Sequence, residues 1–404
     1  AVTGVAVNRR MECGRMGCPL VWVSLPQTPG RYAEPPRPAP PTPTIWSSER
    51  AFGHESSGVE KERHRFRHTV TMDVDELDLA LVHALQTAPR APWSAVGQVI
   101  GLDAGAAARR WRRLVDERLV WATVMPSVES AHDAPIGAAV EVECAAVDLE
   151  RVGGQLAEVP WILTVEQVSN RSSLLLEVVG LETTALARRA QAEIGRVDGV
   201  ARVMVYPVAE LFGEGGAWRL DAISPAQRAR LLQISPSSGA RRRPTPSSLA
   251  AITQCLRDDV RMPIATLART CGWSESTARR KLDQVLGTGA LRLRVDLAQP
   301  ATGFPLTFTS WWRVPTDQIT SAGTAASQLR STRLCASLAT GHANLVTGSW
   351  VRDLAGMRNV ESELTTRLPE ATLLDRALTV RSFKRGGCLL DHHGRTRGVV
   401  HIEL

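Results

Sequence analysis

Two rhythms of hydrophobic spacing run along this chain, and each occurs twice. Leu77, Leu81, Ala84 and Leu85 follow a helical period, which predicts a helix over about 75–87 that stops before Pro89. Val96, Val99 and Ile100 then give a short apolar face, Gly101 supplies a tight turn, and Asp103 caps a further helix running to about Asp116. Leu249, Ile252 and Leu256 open a second series. Ile264, Leu267 and Ala268 follow, then Gly272, a Ser274 cap and a helix to about Leu286. Gly101 and Gly272, Arg109 and Arg280, and Arg110 and Lys281 all stand 171 positions apart, so the second series repeats the first.

Downstream of each helical trio the period changes to that of strands. Ala138–Cys144, Ile162–Val168, Ser173–Val179 and Gly199–Val205 read as strands, with helices at Val147–Ala157 and Thr184–Ile194. The second half repeats this order: strands at Leu306–Val314, Leu334–Ala339, Ala343–Ser349 and Thr372–Val380, helices at Asp317–Leu329 and Asp353–Leu364. Strand–helix–strand–strand–helix–strand is a split arrangement with helices on one face of an antiparallel sheet. Each half leaves one sheet face bare, so the two are expected to pair. Trp311 and Trp312 are expected to fill a core or a contact. Leu119–Val124 and Ala290–Val295 occupy the position of a wing, where Arg292 and Arg294 could meet phosphates.

The second helix of each trio carries the functional expectation. Ala107, Trp111, Leu114 and Val115 make one stripe, and Arg109, Arg110, Arg112 and Arg113 fan out opposite. In the second copy Ala278, Leu282, Val285 and Leu286 make the stripe, surrounded by Ser276, Thr277, Arg279, Arg280 and Lys281. A basic, hydroxyl-bearing helix held by a short glycine turn suits the major groove of double-stranded DNA. Ser274, Ser276, Thr277, Arg279, Arg280 and Lys281, with the four arginines of the first copy, are therefore the candidate DNA-binding residues. Because the first helix begins Ala104-Gly-Ala-Ala-Ala, it is expected mainly to bind phosphates while the second reads sequence.

Composition adds charge and limits chemistry. The net charge of +7 is carried almost wholly by arginine, lysine occurring only as Lys61, Lys281 and Lys384. The seven cysteines show no zinc spacing and read as ordinary thiols. No catalytic elbow, phosphate loop, paired-carboxylate site, metal set or cofactor motif is visible, so no catalytic residue, metal or cofactor is expected and the chain reads as a non-enzyme. No apolar run approaches the ~20 residues a membrane helix needs, and a cytoplasmic, nucleoid-associated location is expected.

Gly272-Trp-Ser-Glu-Ser-Thr-Ala-Arg-Arg-Lys-Leu resembles the recognition-helix signature of the Lrp/AsnC family of bacterial transcription regulators, and Gly101-Leu-Asp-Ala-Gly-Ala-Ala-Ala-Arg-Arg-Trp-Arg-Arg-Leu is a worn version of it. The resemblance covers about Asp73–Arg395 and implies an α+β chain: two winged helix-turn-helix domains, each followed by a βαββαβ ferredoxin-like (RAM-type) domain for effector binding and oligomerisation. Such a fused pair implies a pseudo-dimer within one polypeptide, open to higher assembly. The implied plan is a disordered proline-rich leader over 1–71, helix-turn-helix domains over 72–125 and 247–297, effector domains over 136–210 and 304–381, a linker with a short helix over 211–246, and a surface tail over 382–404. Met72 stands where the periodicity begins, so the leader is expected to be dispensable.

Where relatives carry Gly-x-x-Asp at the effector site, this chain has Gly180-Leu-Glu-Thr and Gly348-Ser-Trp-Val. Gly180, Glu182, Gly348 and Trp350 are the implied effector residues, and the missing aspartates argue against an amino-acid ligand. Two further readings stay open. Sirohaem decarboxylases share the architecture and depend on histidines, of which the sheet modules hold only His342. A ligand sensor that has lost DNA binding is the other.

Overall fold

The computed structural model describes residues 74–126, 136–234 and 243–403; the expectations for the 1–71 leader and for Arg241 and Arg242 of the linker lie outside the described residues. Helix α1 (Glu76–Thr87) starts in a capping box, with the Asp75 side chain on the Asp78 amide and the Asp78 side chain on the Asp75 amide. Helix α2 (Trp93–Ile100) ends at Gly101, whose φ of 77° is the left-handed conformation only glycine adopts cheaply. Asp103 caps α3 (Ala104–Asp116), and β1 (Val120–Pro126) follows.

The first sheet module comprises β2 (Ile136–Cys144), α4 (Leu149–Ala157), β3 (Ile162–Val168), β4 (Leu174–Gly180), α5 (Thr183–Arg189) and β5 (Val200–Gly213). Helix α6 (Pro225–Gln233) leads into the second trio: α7 (Pro246–Asp258), α8 (Ile264–Cys271), which stops at Gly272 with φ 68°, and α9 (Glu275–Gly287), capped by Ser274. Then come β6 (Leu291–Leu297), β7 (Leu306–Arg313), α10 (Ile319–Ser327), β8 (Thr332–Leu338), β9 (Leu345–Val351), α11 (Leu354–Arg367), β10 (Thr372–Arg385), β11 (Cys388–Leu390) and β12 (Thr396–Val399).

The two modules do not stack as separate sheets. Ten strands run in the order β12-β11-β10-β3-β4-β2-β5-β8-β9-β7, and β10 also pairs with β7, so eight of them close into a barrel. Val168, Leu175, Ala139, Val208, Ala336, Val346, Trp311 and Ala377 form one apolar cluster to which all eight barrel strands contribute, as only a barrel interior can. The outer faces carry the two other sheet cores: one packs Val140, Leu174 and Leu176 with α4 and α5, the other packs Phe308, Trp312 and Cys335 with α10 and α11. Closure satisfies the bare sheet faces and also removes the edges that two open sheets would expose.

Closure depends on two strands being longer than their sequence pattern suggests. Strand β5 runs on to Gly213 and pairs Val208–Gly213 with β8; β10 runs on to Arg385 and pairs Thr379–Lys384 with β3. Each strand thus finishes in the other module, and each delivers a phenylalanine there. Phe212 lies against Gly323 of α10 and Phe383 against Gly153 of α4; a Cβ at those glycines would sit 2.2 and 2.5 Å from the rings. A side chain larger than hydrogen cannot fit, which explains glycine in the middle of each helix despite its cost there of up to about 1 kcal/mol.

These contacts correct three expectations. The start of the expected 211–246 linker is strand. The 382–404 tail is structural, with Lys384 fully buried and donating to the Val159 carbonyl, and with Cys388 and Leu390 in the core of the first helix-turn-helix domain. The wings pair with each other as an antiparallel ribbon, Val120 opposite Leu297 and Pro126 opposite Leu291.

Candidate nucleic-acid interface and ligand cavity

The two helix-turn-helix domains grip each other by reciprocal arginines. Arg90 donates to the carbonyls of Val260 and Met262, while Arg261 donates to those of Pro89 and Ala91. Each partner is 171 positions from its counterpart, so the contact is a pseudo-two-fold one that places α3 and α9 in equivalent positions. Arg261 also stacks on Trp93 at 4.0 Å. The axis is reinforced by the β1–β6 ribbon.

The candidate DNA-binding residues divide into two groups. In α3, Arg110 donates to Asp75 at 2.7 Å and to Asp78 at 2.9 Å, and Arg113 donates to Asp78 and Glu117. Asp78 is 1% exposed, so these two arginines hold α3 against α1 while staying partly exposed themselves. Only Arg109 and Arg112 of the expected four are exposed.

In α9 the Ser274 hydroxyl accepts the Thr277 amide at 3.3 Å and is shared with the Ser276 and Thr277 hydroxyls, which makes it a cap and not a base reader. Lys281 donates to Ser248 and lies 4.5 Å over the Trp273 ring. Ser276, Arg279 and Arg280 are exposed on the first turns of the helix, with Thr277 half-buried beside them.

The wing arginines correct a further expectation, because both are engaged by carboxylates of this chain. Arg292 pairs with Glu214, and Arg294 is bound to Asp296 with its side chain only 12% exposed. Both border a partly open cavity of about 570 Å³ lined by the two helical trios, the ribbon and the mouth of the barrel. Arg90 and Gln86 line it from the first domain, Leu291 and Leu293 from the ribbon, and Ala139, Val208, Ala336 and Val346 from the barrel interior.

Arg294 joins the cavity to a buried ionic network. Arg333 is clamped between Trp350 at 3.7 Å and Trp218 at 4.9 Å and faces Asp296 at 3.7 Å, and Arg385 bonds Glu166 at 3.0 Å. Burial pushes the Asp296 carboxyl up, but Arg294 and Arg333 outweigh it and hold the group below its ordinary value. Burial raises Glu177, whose carboxyl lines the cavity and accepts from the Thr164 hydroxyl at 2.7 Å.

The implied effector residues do not meet. Glu182 is exposed and caps α5, accepting from the amides of Thr184 and Ala185, while Gly180 packs under Leu186. Gly348 is packed against Leu334, and Trp350 serves as the plate beneath Arg333. None of the four lines the large cavity. The sequence reading missed that cavity because its walls come from a dozen separated segments. The one legible signal was Arg292, Arg294 and Asp296 at alternate positions, a charged face on a strand whose other face is Leu291, Leu293, Val295 and Leu297. His342 lines a different and smaller cavity of about 240 Å³, with Glu141, Tyr206 and Arg202. Among the described residues no group of three or more His, Cys, Asp or Glu could hold a metal ion, and no helix is long and apolar enough to cross a membrane.

Comparison with known proteins matches these parts unequally. Residues 74–115 match the AsnC-type helix-turn-helix domain, so the family match falls on the first copy, the one expected to be the worn version. No curated protein matches the chain in sequence. Among solved structures, the siroheme decarboxylase NirDL is similar over 77% of this chain and 93% of its own, at 16% identity and a TM-score of 0.50. Escherichia coli AsnC is similar over 34% of this chain and 93% of its own (14% identity, TM-score 0.29). The Mycobacterium tuberculosis leucine response regulatory protein is similar over 35% and 96% (14% identity, TM-score 0.32). The NirDL likeness extends the shared fold to most of the chain.

Proposed function

We propose that this protein is a non-enzymatic, DNA-binding transcriptional regulator whose two helix-turn-helix domains act as a built-in dimer, with a small-molecule effector held in the cavity they share with the barrel. The observation that carries the reading is the pseudo-two-fold pair itself: Arg279, Arg280 and Ser276 exposed on one helix, Arg109 and Arg112 on its equivalent, and the pair clasped by Arg90 and Arg261. Exposed arginines on equivalent helices offer phosphate and guanine contacts at two places along a duplex. A ligand seated between Arg90, the β6 arginines and the barrel mouth touches both helix-turn-helix domains at once, so it can bind one spacing of the helices better than another. Electrophoretic mobility shifts with the chain's own upstream DNA across a salt series test this. Binding that weakens steeply with salt and vanishes in Arg279→Ala/Arg280→Ala supports it, whereas no binding even in dilute buffer sinks it.

A second reading is favoured by one observation: the protein whose fold this chain shares over most of its length is a siroheme decarboxylase. The cavity has room for a large ligand, and Arg219, Arg292 and Arg294 could meet acidic side groups of a tetrapyrrole. Against this, among the described residues no histidine borders it, and Met125 is the only sulfur-bearing residue that does. An absorbance titration with siroheme separates the two: a shifted Soret band, followed by release of carbon dioxide, would favour the enzyme.

A further inference from the structure

The cavity between the helix-turn-helix pair and the barrel has a chemically mixed lining. Its floor is the plug of the barrel, where Ala139, Val208, Ala336 and Val346 present small apolar side chains. Arg219, Arg292 and Arg294 also line it. Glu214 neutralises Arg292 and Asp296 neutralises Arg294, but among the described residues Arg219 donates to the backbone carbonyls of Gly216 and Trp218 and to no carboxylate. Burial, and after it the repulsion of Arg228, lowers the Arg219 guanidinium to about 10 even though Asp296 acts the other way. A cation withdrawn from water without a carboxylate of its own is costly, and the guanidinium fork is shaped to accept one. Glu177 does not take that role, since burial holds its carboxyl toward the neutral form.

We infer that the cavity binds an amphiphilic carboxylate, its hydrocarbon body against Ala139, Val208, Ala336 and Val346 and its anionic group on Arg219. The inference rests on reading this cavity as the ligand site. Arg219 and an apolar patch border the same cavity, a pairing that suits a carboxylate on an apolar body. The volume, about 570 Å³, lies in the range of pockets that enclose whole small molecules.

Isothermal titration of the full chain with decanoate and with 1-decanol tests the assignment. The acid is expected to bind at least about tenfold tighter than the alcohol, a preference that Arg219→Gln removes while leaving alcohol binding unchanged and that Arg219→Lys partly restores. Ala336→Phe, which fills the floor, is expected to weaken both. Equal affinity for acid and alcohol in the unaltered protein overturns the inference, and that comparison needs no variant to fold. Absence of decanoate binding in a protein that still shifts DNA overturns it too and leaves the regulator reading standing. Decanoate that binds through Arg219 without altering DNA affinity supports the inference and removes the cavity's effector role instead.

Discussion

The first helix-turn-helix copy spends its charge on itself, and the second turns its charge outward. Asp75 and Asp78 tie down Arg110 and Arg113 in the first copy. The positions 171 further on are Pro246, Leu249, Lys281 and Gln284, so the second copy has no acid pair and is held by apolar packing, the Lys281–Ser248 bond and a Gln284 bond to the Arg243 carbonyl. Gly105, Ala106 and Ala108 of the first helix stand where the second has Ser276, Thr277 and Arg279. One backbone design therefore supports two uses of arginine, as internal fastener and as outward contact. Counting basic residues on a helical wheel cannot separate them, because the acids that decide it lie on another helix.

That contrast can be broken most sharply at α9. Arg279→Ala/Arg280→Ala is expected to cost about 100-fold or more in DNA affinity, measured by fluorescence anisotropy, with lost preference for the chosen site. Next in size is Asp78→Asn, which removes the nearly buried charge that Arg110 and Arg113 share and leaves them Asp75 and Glu117. A loss of about 2 kcal/mol in urea unfolding is expected, less than for a fully buried pair because both arginines are partly exposed. An unchanged midpoint would mean that the pairs do not fasten α3 to α1.

Smaller still is Arg109→Ala/Arg112→Ala: about tenfold weaker binding for every sequence alike and a shallower salt slope. If this pair matched the α9 pair in size and in sequence preference, the division of labour between the copies would be gone.

The smallest effect concerns acid. His83 is buried in α1 and accepts the Ala222 and Ile223 amides on Nδ1; its counterpart position holds Gln254, which is exposed. Burial, then Arg219 and Arg228, lowers His83 to about 4 from 6.5. The unfolded chain takes the proton below 6.5 while the folded one resists it until about 4, so stability is complete above that window and drains away as pH falls through it. Between pH 7 and 5.5 the loss is about 1 kcal/mol, and a His83→Gln protein should show a flatter melting profile over that interval.

Helices and strands were largely legible because their apolar spacing is regular, and the repeat placed both trios correctly. The barrel was not. Strand β5 changes register at Val208–Glu210 and again at Leu211–Gly213, and β10 does so at Thr379–Arg381 and Ser382–Lys384. Each bulge flips the alternation, so Glu210, Arg381 and Lys384 read as the end of order when they mark a strand passing into the other module. The exposed Arg279 and Arg280 were readable as candidates, whereas Arg294 was misplaced in a wing because its acceptor, Asp296, only becomes an interior group once the ribbon closes over the barrel.

Phe212 and Phe383 carry a consequence for synthesis. The core that begins at Ala138 is completed by a ring near the opposite end of the chain, seated on Gly153. A ribosome must therefore have passed Phe383 before the module that begins near Ala138 can settle. Once settled, no dilution can part the two modules and no related subunit can be exchanged for either, so each copy was free to diverge while its partner stayed guaranteed.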